Sequence, residues 1–296
     1  GGEDLPFASH PQSIMQAFSS ARSISSAARL GAQRQAPTRA ARMVTSALGH
    51  PSLAAFNEKR AIKVIAGLNN FDALNVASIV QAAERGGATH VDIACDADLV
   101  KLTKSLIDLP VFVSSVIPSD FVKAVKAGAD MVEIGNFDCF YNDGITFTSD
   151  DVLTLALETR ALLPDVPLSV TVPHTLTLDA QVDLAVQLEA IGVDLIQTEG
   201  GMAAQPFSPG IAGLIEKAVP TLAAAHAISK AVNIPVMCAS GLSHVTVPMA
   251  LSAGAAGVGV GSAVNKLKDE VMMVATVRQI AEAVDTSVAA PEQQRQ

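Results

Sequence analysis

Short apolar runs alternate with amphipathic segments along the chain from residue 61 onward. Runs of this length are typical of buried strands, and the segments between them place apolar residues at the spacing of helices. The eight runs are AIKVIAG (61–67), THVDIA (89–94), VFVSS (111–115), MVEIG (131–135), PLSVTVP (167–173), DLIQTEG (194–200), PVMCASG (235–241) and AGVGVGS (256–262). The pattern predicts eight strands that alternate with helices, the last of which spans residues 269–284.

Two kinds of strand alternate within this pattern. The second, fourth, sixth and eighth strands begin with Gly followed by Ala or Val, whereas the third, fifth and seventh follow a proline. A strand–helix–strand–helix unit that recurs four times favours a closed (β/α)8 TIM barrel of the α/β class over an open doubly wound sheet. An open dinucleotide-binding sheet would carry GxGxxG after the first strand, where this chain has LNNFD.

The N-terminal segment has a different composition from the rest of the chain. Residues 5–57 contain five arginines, many serines and alanines and no acidic residue, which is typical of an organelle transit peptide. The alternative interpretation is a solvated basic tail that carries no targeting signal. We therefore divide the chain into a transit or disordered segment at 1–57, a barrel at 58–285 and a disordered tail at 286–296.

Composition and charge narrow the classes of function. A hydrophobic content of 49% and a mean hydropathy of +0.36 exclude a disordered protein, and three cysteines are too few for a disulfide scaffold. No apolar run reaches the roughly 18 residues of a membrane span. Residues 58–296 carry 15 basic and 27 acidic residues, a net charge of −12, which disfavours nucleic acid and anionic membranes as partners.

The strand alternation predicts which side chains point into the barrel. In the even-numbered strands we assign the bulky aliphatic residues to the outside, where the helices lie. The inward positions then form one column of Asp92, Glu133, Gln197 and Gly259, and another nearer the mouth of Ala94, Gly135, Glu199 and Gly261. The same alternation turns Lys63 of the first strand inward.

Four charged residues are thereby predicted inside the barrel: Lys63, Asp92, Glu133 and Glu199. Buried charges are costly unless paired and often mark acid–base sites, so these four are the candidate catalytic residues. Glu199 lies nearest the mouth and is the candidate general base. The other three form either a proton-transfer site or a structural salt-bridge network. A Schiff-base role for Lys63 is disfavoured, because acidic neighbours would keep its amine protonated.

Small residues follow the seventh and eighth strands, in ASGL (239–242) and GVGVGSA (257–263). TIM barrels often bind a phosphate at these two loops, where glycines let backbone amides approach the anion and serines add hydroxyl donors. We predict that Ser240, Gly241, Gly261 and Ser262 hold a phosphate, either of a metabolite or of flavin mononucleotide. The alternative is that the strand-eight glycines relieve crowding inside the barrel.

Other residues near the predicted mouth rank lower as site candidates. Asn136, Asp138, His174 and His244 all follow strands, but lone histidines among scattered carboxylates do not have a metal-ligand spacing, so no metal is assigned. The aromatic loop 136–148 is interpreted as a subunit contact rather than as a lid. The Gly/Pro-rich loop 200–210 is interpreted as a mobile lid.

Seven sequence blocks occur in a characteristic order: KVIAGLNNFD, GATHVDIACD, EIGNFD, VTVPH, LIQTEGG, CASGLS and AGVGVGSAVN. In these blocks the chain resembles the family named hypothetical chloroplast open reading frame twenty-three, over residues 54–284. The resemblance implies a TIM barrel of ribulose-phosphate-binding type and a chloroplast location, and it carries over no catalytic residue. Together with a transit segment, it implies a nuclear-encoded copy of a gene that some algae carry in the plastid.

Three functions remain open at this point. The first is a stromal barrel enzyme that acts on a small phosphorylated metabolite as a lyase, isomerase or epimerase. The second is a flavin-mononucleotide oxidoreductase with the same phosphate loops, which would absorb at about 450 nm. The third is a non-catalytic barrel that senses a phosphorylated metabolite or joins a larger assembly. A phosphorylated small molecule is the expected ligand, flavin mononucleotide is the one cofactor considered, and a homo-oligomer stays open.

Overall fold

Eight parallel strands close into a barrel in the computed structural model, which describes residues 50–200 and 206–293. Each strand pairs with its neighbours in sequence, and the eighth pairs with the first. The strands are β1 (Ala61–Ile65), β2 (His90–Ala94), β3 (Val111–Ser115), β4 (Met131–Ile134), β5 (Leu168–Val172), β6 (Leu195–Thr198), β7 (Val236–Ala239) and β8 (Gly257–Val260). The predicted (β/α)8 TIM barrel is confirmed.

Helices surround the barrel and connect its strands. They are α1 (Ala54–Asn57), α2 (Ala73–Gly86), α3 (Ala97–Leu106), α4 (Pro118–Lys126), α5 (Asp138–Tyr141), α6 (Ser149–Leu162), α7 (Leu178–Ala190), α8 (Gly210–Ile228), α9 (Val247–Ser252), α10 (Ser262–Asn265) and α11 (Glu270–Gln293). Asp72, Asp96 and Thr148 cap the N-termini of α2, α3 and α6 with their side chains. The short helices α5 and α10 directly follow β4 and β8, so both lie at the mouth of the barrel.

The pairing of β1 with β8 brings Lys63 opposite Gly259. Both positions point into the barrel, where space is limited: a Cβ on Gly259 would lie 2.8 Å from the Cβ of Ala239. On β2, Val91 and Ile93 alternate with inward-facing residues and are fully buried on the outer face. Burial on both faces is the normal state of parallel strands that helices cover.

The N-terminal end of the barrel is closed by residues that precede the predicted boundary at residue 58. A 3₁₀ turn at Pro51–Leu53 leads into α1. Leu53 and Phe56 are each 1% exposed and pack into the barrel floor. Their neighbours come from the first two residues of four strands: Phe112, Met131, Leu195 and Met237. The folded body therefore begins earlier than the sequence analysis expects, because these two apolar side chains cover the floor.

The C-terminal helix α11 is longer than the sequence pattern predicts. It continues to Gln293, past residue 285, where a disordered tail was expected to begin. The hydroxyls of Thr286 and Ser287 bond to carbonyl groups one turn earlier, so these polar residues are satisfied within the helix. The helix crosses α2 closely at Gly86, where a Cβ would lie 2.5 Å from the Cβ of Val277.

Within the described ranges, α8 is the one helix whose length and hydropathy match those of a membrane span. It packs against β6 and β7 in the outer ring of the barrel. Thr221 of this helix donates a 2.5 Å hydrogen bond to the carbonyl oxygen of Ala239, at the end of β7. The predicted transit segment, as far as residue 49, and residues 201–205 of the predicted lid lie outside the described residues.

Candidate active site

Lys63 lies at the centre of a buried ionic network inside the barrel. Its Nζ atom is 2.5 Å from Oε2 of Glu133 and 3.3 Å from Oδ2 of Asp92. None of the three side chains is more than 1% exposed. The ammonium group also lies 4.6 Å from the centre of the Phe112 ring. Strands β1, β2 and β4 therefore bring together three of the four predicted charged residues.

Asp92 is held by polar side chains from β3 and from the loop after β4. The Ser114 hydroxyl donates to Asp92 Oδ1 at 2.6 Å, and the Asn136 amide donates to Oδ2 at 3.0 Å. Asn136 has a φ of 57°, in the left-handed region that asparagine tolerates better than most residues. Its side chain is half-buried and connects the ionic network to the mouth.

Glu133 is also fully provided with partners. Ser169 donates to its Oε2 atom at 2.9 Å, and the Gln197 amide donates to Oε1 at 2.6 Å. Burial raises the pKa of Glu133, and the charge of Lys63 opposes that increase. A buried network whose carboxylates are satisfied in this way rigidifies the barrel interior, which corresponds to the structural alternative left open above.

Glu199 lies nearer the mouth, directly after β6, and is 4% exposed. Its Oε1 atom accepts hydrogen bonds from the Tyr141 hydroxyl and from the backbone N–H of His174, the latter at 3.0 Å. Nδ1 of His174 lies 2.9 Å from the same oxygen. The other oxygen, Oε2, is buried and has no hydrogen-bond partner among the described residues. Glu199 thus retains one carboxylate oxygen that can accept a ligand.

Asp138 completes a group of ionisable side chains at the mouth. Its Oδ1 atom lies 3.9 Å from Nδ1 of His174. Burial raises the pKa of Asp138 to about 6, the charge of Glu199 adds to the increase, and a hydrogen bond from Ser240 opposes it. The hydrogen bond to Glu199 raises the pKa of His174 above its usual value. We call Asp138, Tyr141, His174 and Glu199 the mouth cluster.

The aromatic loop 136–148 carries two members of this cluster on the short helix α5. Phe137 stacks on Phe147 with 4.3 Å between ring centres, and Phe140 meets Phe147 edge-on at 5.7 Å. All three phenylalanines are at most 3% exposed. The interpretation of this loop as a subunit contact is therefore wrong for these side chains, because they form the loop's own core.

The mouth cluster unites residues that the sequence analysis keeps apart. Glu199 is a predicted site residue, whereas Asp138 and His174 rank low and Tyr141 is considered only as part of its loop. The signal that could have found them is their position, because β4, β5 and β6 are neighbours in a barrel of consecutive strands. Residues that follow three neighbouring strands must lie close together at the mouth.

The loop after β7 turns sharply at the two residues predicted to hold a phosphate. Ser240 and Gly241 both have left-handed backbone conformations, with φ of 77° and 72°. A Cβ on Gly241 would lie 2.6 Å from the backbone oxygen of Lys217. This position therefore requires glycine both for its backbone conformation and for its close packing.

The loop after β8 carries the other two predicted phosphate residues. A Cβ on Gly257 would lie 2.5 Å from the Cβ of Ala61, and Gly259 is similarly crowded. Crowding inside the barrel therefore explains Gly257 and Gly259, both within β8, as the alternative interpretation of the strand-eight glycines expects. It does not explain Gly261, where the nearest atom to an added Cβ is 3.7 Å away. Ser262 follows and is exposed at the start of α10.

Ser240 connects the phosphate loops with the mouth cluster. Its hydroxyl opposes the increase in the pKa of Asp138, and an added Cβ on Gly200, next to Glu199, would lie 3.6 Å from its Oγ atom. Because β7 and β8 are paired, the loops that follow them are adjacent. The predicted phosphate loops and the mouth cluster therefore share one mouth.

A cavity of about 700 Å³ opens beside the end of the mouth at which β1 and β8 meet. Its lining includes Asn75, Ser78, Asn265, Lys266 and Lys268. Asn265 fixes this side of the mouth by donating a 3.1 Å hydrogen bond to the carbonyl oxygen of Ile65. The two lysines line this cavity together with Glu270, next to the loop after β8.

Comparison with known proteins identifies the family. The family described as "Protein of unknown function (DUF561)" matches residues 52–290. The chain is 44% identical over 236 residues to "Uncharacterized protein ycf23" of Cyanophora paradoxa, covering 78% of this chain and 95% of that protein. It is 37% identical over 232 residues to the protein of the same name from Porphyra purpurea, covering 78% of this chain and 88% of that protein. The chain belongs to the ycf23 family. The resemblance of the seven sequence blocks is thereby confirmed.

Solved structures similar to this ycf23-family chain share its barrel. Thiamine phosphate pyrophosphorylase from Pyrococcus furiosus superposes with a TM-score of 0.51 at 18% identity, covering 78% of this chain and 98% of that one. A second similar structure is (S)-3-O-geranylgeranylglyceryl phosphate synthase from Thermoplasma acidophilum, in complex with substrate sn-glycerol-1-phosphate. It superposes with a TM-score of 0.53 at 14% identity, covering 79% of this chain and 97% of that one. 3-Hexulose-6-phosphate synthase superposes with a TM-score of 0.53 at 16% identity, covering 75% of this chain and 99% of that one. At these identities the likeness shows the fold alone.

Proposed function

We propose that this ycf23-family protein is an enzyme of the chloroplast stroma that binds a small phosphorylated metabolite and acts on it as a lyase, isomerase or epimerase. The observation that carries the proposal is the meeting of two features at one barrel mouth. One is the pair of loops after β7 and β8, and the other is the mouth cluster, whose side chains can exchange protons. The plastid name of the family supports the chloroplast part of the proposal.

The phosphate would be held by the four residues predicted from the sequence. Backbone amides of Gly241 and Gly261 approach an anion closely because no side chain intervenes, and Ser240 and Ser262 add hydroxyl donors. The printed names of similar barrels, among them a thiamine phosphate and a hexulose phosphate enzyme, support a phosphorylated ligand.

The mouth cluster would supply the acid–base chemistry. A lyase or isomerase that acts next to a carbonyl group must remove a proton from carbon and stabilise the negative charge that develops on oxygen. Glu199 would take the proton through its free Oε2 atom. Asp138, whose pKa burial raises to about 6, would donate a hydrogen bond to the oxygen in its protonated form, while the Tyr141 hydroxyl stays on Oε1 of Glu199 and orients the base.

The buried network would act on this site from below. Lys63 balances the charge of Asp92 and Glu133, and Asp92 orients Asn136, which reaches the mouth. These three charged residues have all their partners inside the barrel. We therefore assign them a positioning role, and we assign proton transfer to Glu199.

The anion site can be tested by thermal unfolding in the presence of phosphate or sulfate. An anion that binds the folded state alone raises the melting temperature by mass action. The Gly261→Asp substitution would put a carboxylate where the phosphate binds, and the two negative charges would repel. Gln187→Glu, on the exposed face of α7, makes the same change in charge away from the mouth and is the matched control.

We expect phosphate to stabilise the wild-type and Gln187→Glu proteins and to lose this effect in Gly261→Asp, which should stay folded. Equal stabilisation of all three proteins would show that the anion acts non-specifically and would refute the site. Mass spectrometry of small molecules that co-purify with the wild type then identifies the metabolite. Absorbance of the pure protein at about 450 nm would instead assign the phosphate to a flavin.

A further inference from the structure

We propose that the mouth cluster is a binding site for one divalent transition-metal ion, with Asp138, His174 and Glu199 as its protein ligands. Each of these residues offers one ligand atom, and the three atoms lie within 4.8 Å of one another. Ligands that are about 2.1 Å from a shared ion lie at most about 4.2 Å apart, so small side-chain rotations complete the site. The binding of the ion is independent of whether a phosphate binds.

Two carboxylate oxygens of the site lack the partners that buried polar atoms normally have. Oε2 of Glu199 and Oδ1 of Asp138 are both buried without a hydrogen bond in the described part of the chain. Glu199 itself is only 4% exposed, so bulk solvent has little access to this oxygen. Buried acceptors of this kind are costly, and they indicate a missing donor or cation.

The charge of the cluster points to a cation rather than to a neutral donor. Among residues 50–200 and 206–293, the one ion-pair partner of either carboxylate is His174. The network below differs in this respect, because there Lys63 lies between two carboxylates that are also satisfied by neutral donors. A divalent ion would neutralise the charge of Asp138 and Glu199 together.

The types of ligand indicate the class of ion. Two carboxylate oxygens and one imidazole nitrogen suit Mn²⁺, Fe²⁺, Co²⁺ or Zn²⁺, whereas Mg²⁺ and Ca²⁺ prefer ligand sets made of oxygen alone. Three protein ligands leave open positions for water or substrate, as catalytic metal sites do. The Tyr141 hydroxyl holds the other oxygen of Glu199 and so fixes the orientation of this ligand from outside the site.

The chemical consequence of the ion, unlike its binding, rests on the function proposed above. An ion with open positions would coordinate the carbonyl oxygen of the metabolite and stabilise the negative charge that forms there during proton removal. Because the ion would bind through Oε2 of Glu199, this residue would hold the ion, and a hydroxide on an open position of the ion would take the proton in its place.

The test is titration of the full chain with Mn²⁺, followed by electron paramagnetic resonance and by thermal unfolding. We expect one Mn²⁺ per chain and an increase in melting temperature. The Glu199→Gln and Asp138→Asn substitutions keep the size of each side chain and should each weaken Mn²⁺ binding more than tenfold. Asp143→Asn removes an exposed carboxylate from the same loop outside the cluster, and it should leave binding unchanged.

Three results would overturn the proposal. They are no saturable Mn²⁺ binding by the wild type, unchanged binding in both Glu199→Gln and Asp138→Asn, and tighter binding of Mg²⁺ or Ca²⁺ than of Mn²⁺. The phosphate site fails or survives separately. Gly261→Asp should abolish stabilisation by phosphate and keep Mn²⁺ binding, whereas Glu199→Gln should show the opposite behaviour.

Discussion

Nζ of Lys63 and Oε2 of Glu133 lie 2.5 Å apart, and neither side chain is exposed. Such a pair adds little to stability by itself, but removal of one partner leaves a buried charge without compensation. Lys63→Met would leave both Glu133 and Asp92 without a cation. We expect the free energy of unfolding in urea to fall by about 3 to 5 kcal/mol.

A second substitution separates the charge effect from the loss of packing. Glu133→Gln keeps the shape of its side chain and removes one of the uncompensated charges. The Lys63→Met/Glu133→Gln double variant should therefore be more stable than Lys63→Met alone. A Lys63→Met protein with wild-type stability would contradict the account of this network as an essential charge balance.

Gly241 and Gly144 share a backbone conformation but differ in their surroundings. Both have a φ of 72°, yet an added Cβ meets the Lys217 carbonyl at 2.6 Å at Gly241 and nothing within 4 Å at Gly144. Gly144→Ala should cost about 1 to 2 kcal/mol of unfolding free energy, the cost of a left-handed non-glycine residue. Gly241→Ala should cost clearly more, and similar values in urea unfolding would show that the close approach to Lys217 does not matter.

His90 should make the free energy of unfolding depend on pH in the acidic range. Its ring lies 4.9 Å from that of Phe56 and 5.5 Å from that of Phe112, and burial lowers the pKa of His90 from 6.5 to about 4, although a hydrogen bond with Ser52 opposes this. As the pH falls below 6.5, His90 therefore becomes protonated in the unfolded chain before it does in the folded chain. The residue should have no effect above pH 6.5 and remove about 3 kcal/mol of stability as the pH falls to 4.

This pH dependence can be assigned to His90 by substitution. His90→Leu keeps an apolar group on the barrel floor and removes the titrating ring. Its free energy of unfolding, measured by urea at pH 7, 5.5 and 4, should fall less steeply with acid than that of the wild type. Parallel curves for the two proteins would place the titrating group elsewhere.

The barrel interior is predictable from the sequence because it depends on strand periodicity alone. Asp92 and Glu133 alternate with valine and isoleucine, and a period of two determines the side of the strand on which each lies. Parallel pairing of consecutive strands then brings both residues to Lys63.

The mouth cluster is less predictable because loops position it. Asp138 and Tyr141 depend on the short helix α5, whose place is set by the stacking of Phe137 on Phe147. His174 depends on the turn after β5, where its backbone N–H bonds to Glu199. Loop contacts of this kind have no sequence period. The sequence therefore shows that these residues follow strand ends, but it does not show which side chains contact one another.

The acid-free composition of residues 5–57 leads to a prediction about processing. If this segment is a transit peptide, the mature protein lacks most of it. The cleavage should fall between Arg34 and Pro51, because the 3₁₀ turn that begins at Pro51 is part of the folded body. N-terminal sequencing of the protein from chloroplasts checks this, and a mature chain that begins before Arg34 would contradict it.

The C-terminal limit of this interval can be tested by truncation. A chain that begins at His50 keeps Leu53 and Phe56, which are each 1% exposed and pack on Phe112 and Met131 at the barrel floor. A chain that begins at Glu58 loses both side chains and exposes the apolar ends of the strands. Because a buried side chain of this size contributes about 1.5 to 3 kcal/mol, the shorter chain should unfold with about 3 to 6 kcal/mol less free energy than the longer one. Equal midpoints in urea for the two chains would mean that the floor is closed without these residues, and the barrel would then begin at the boundary that composition alone suggests.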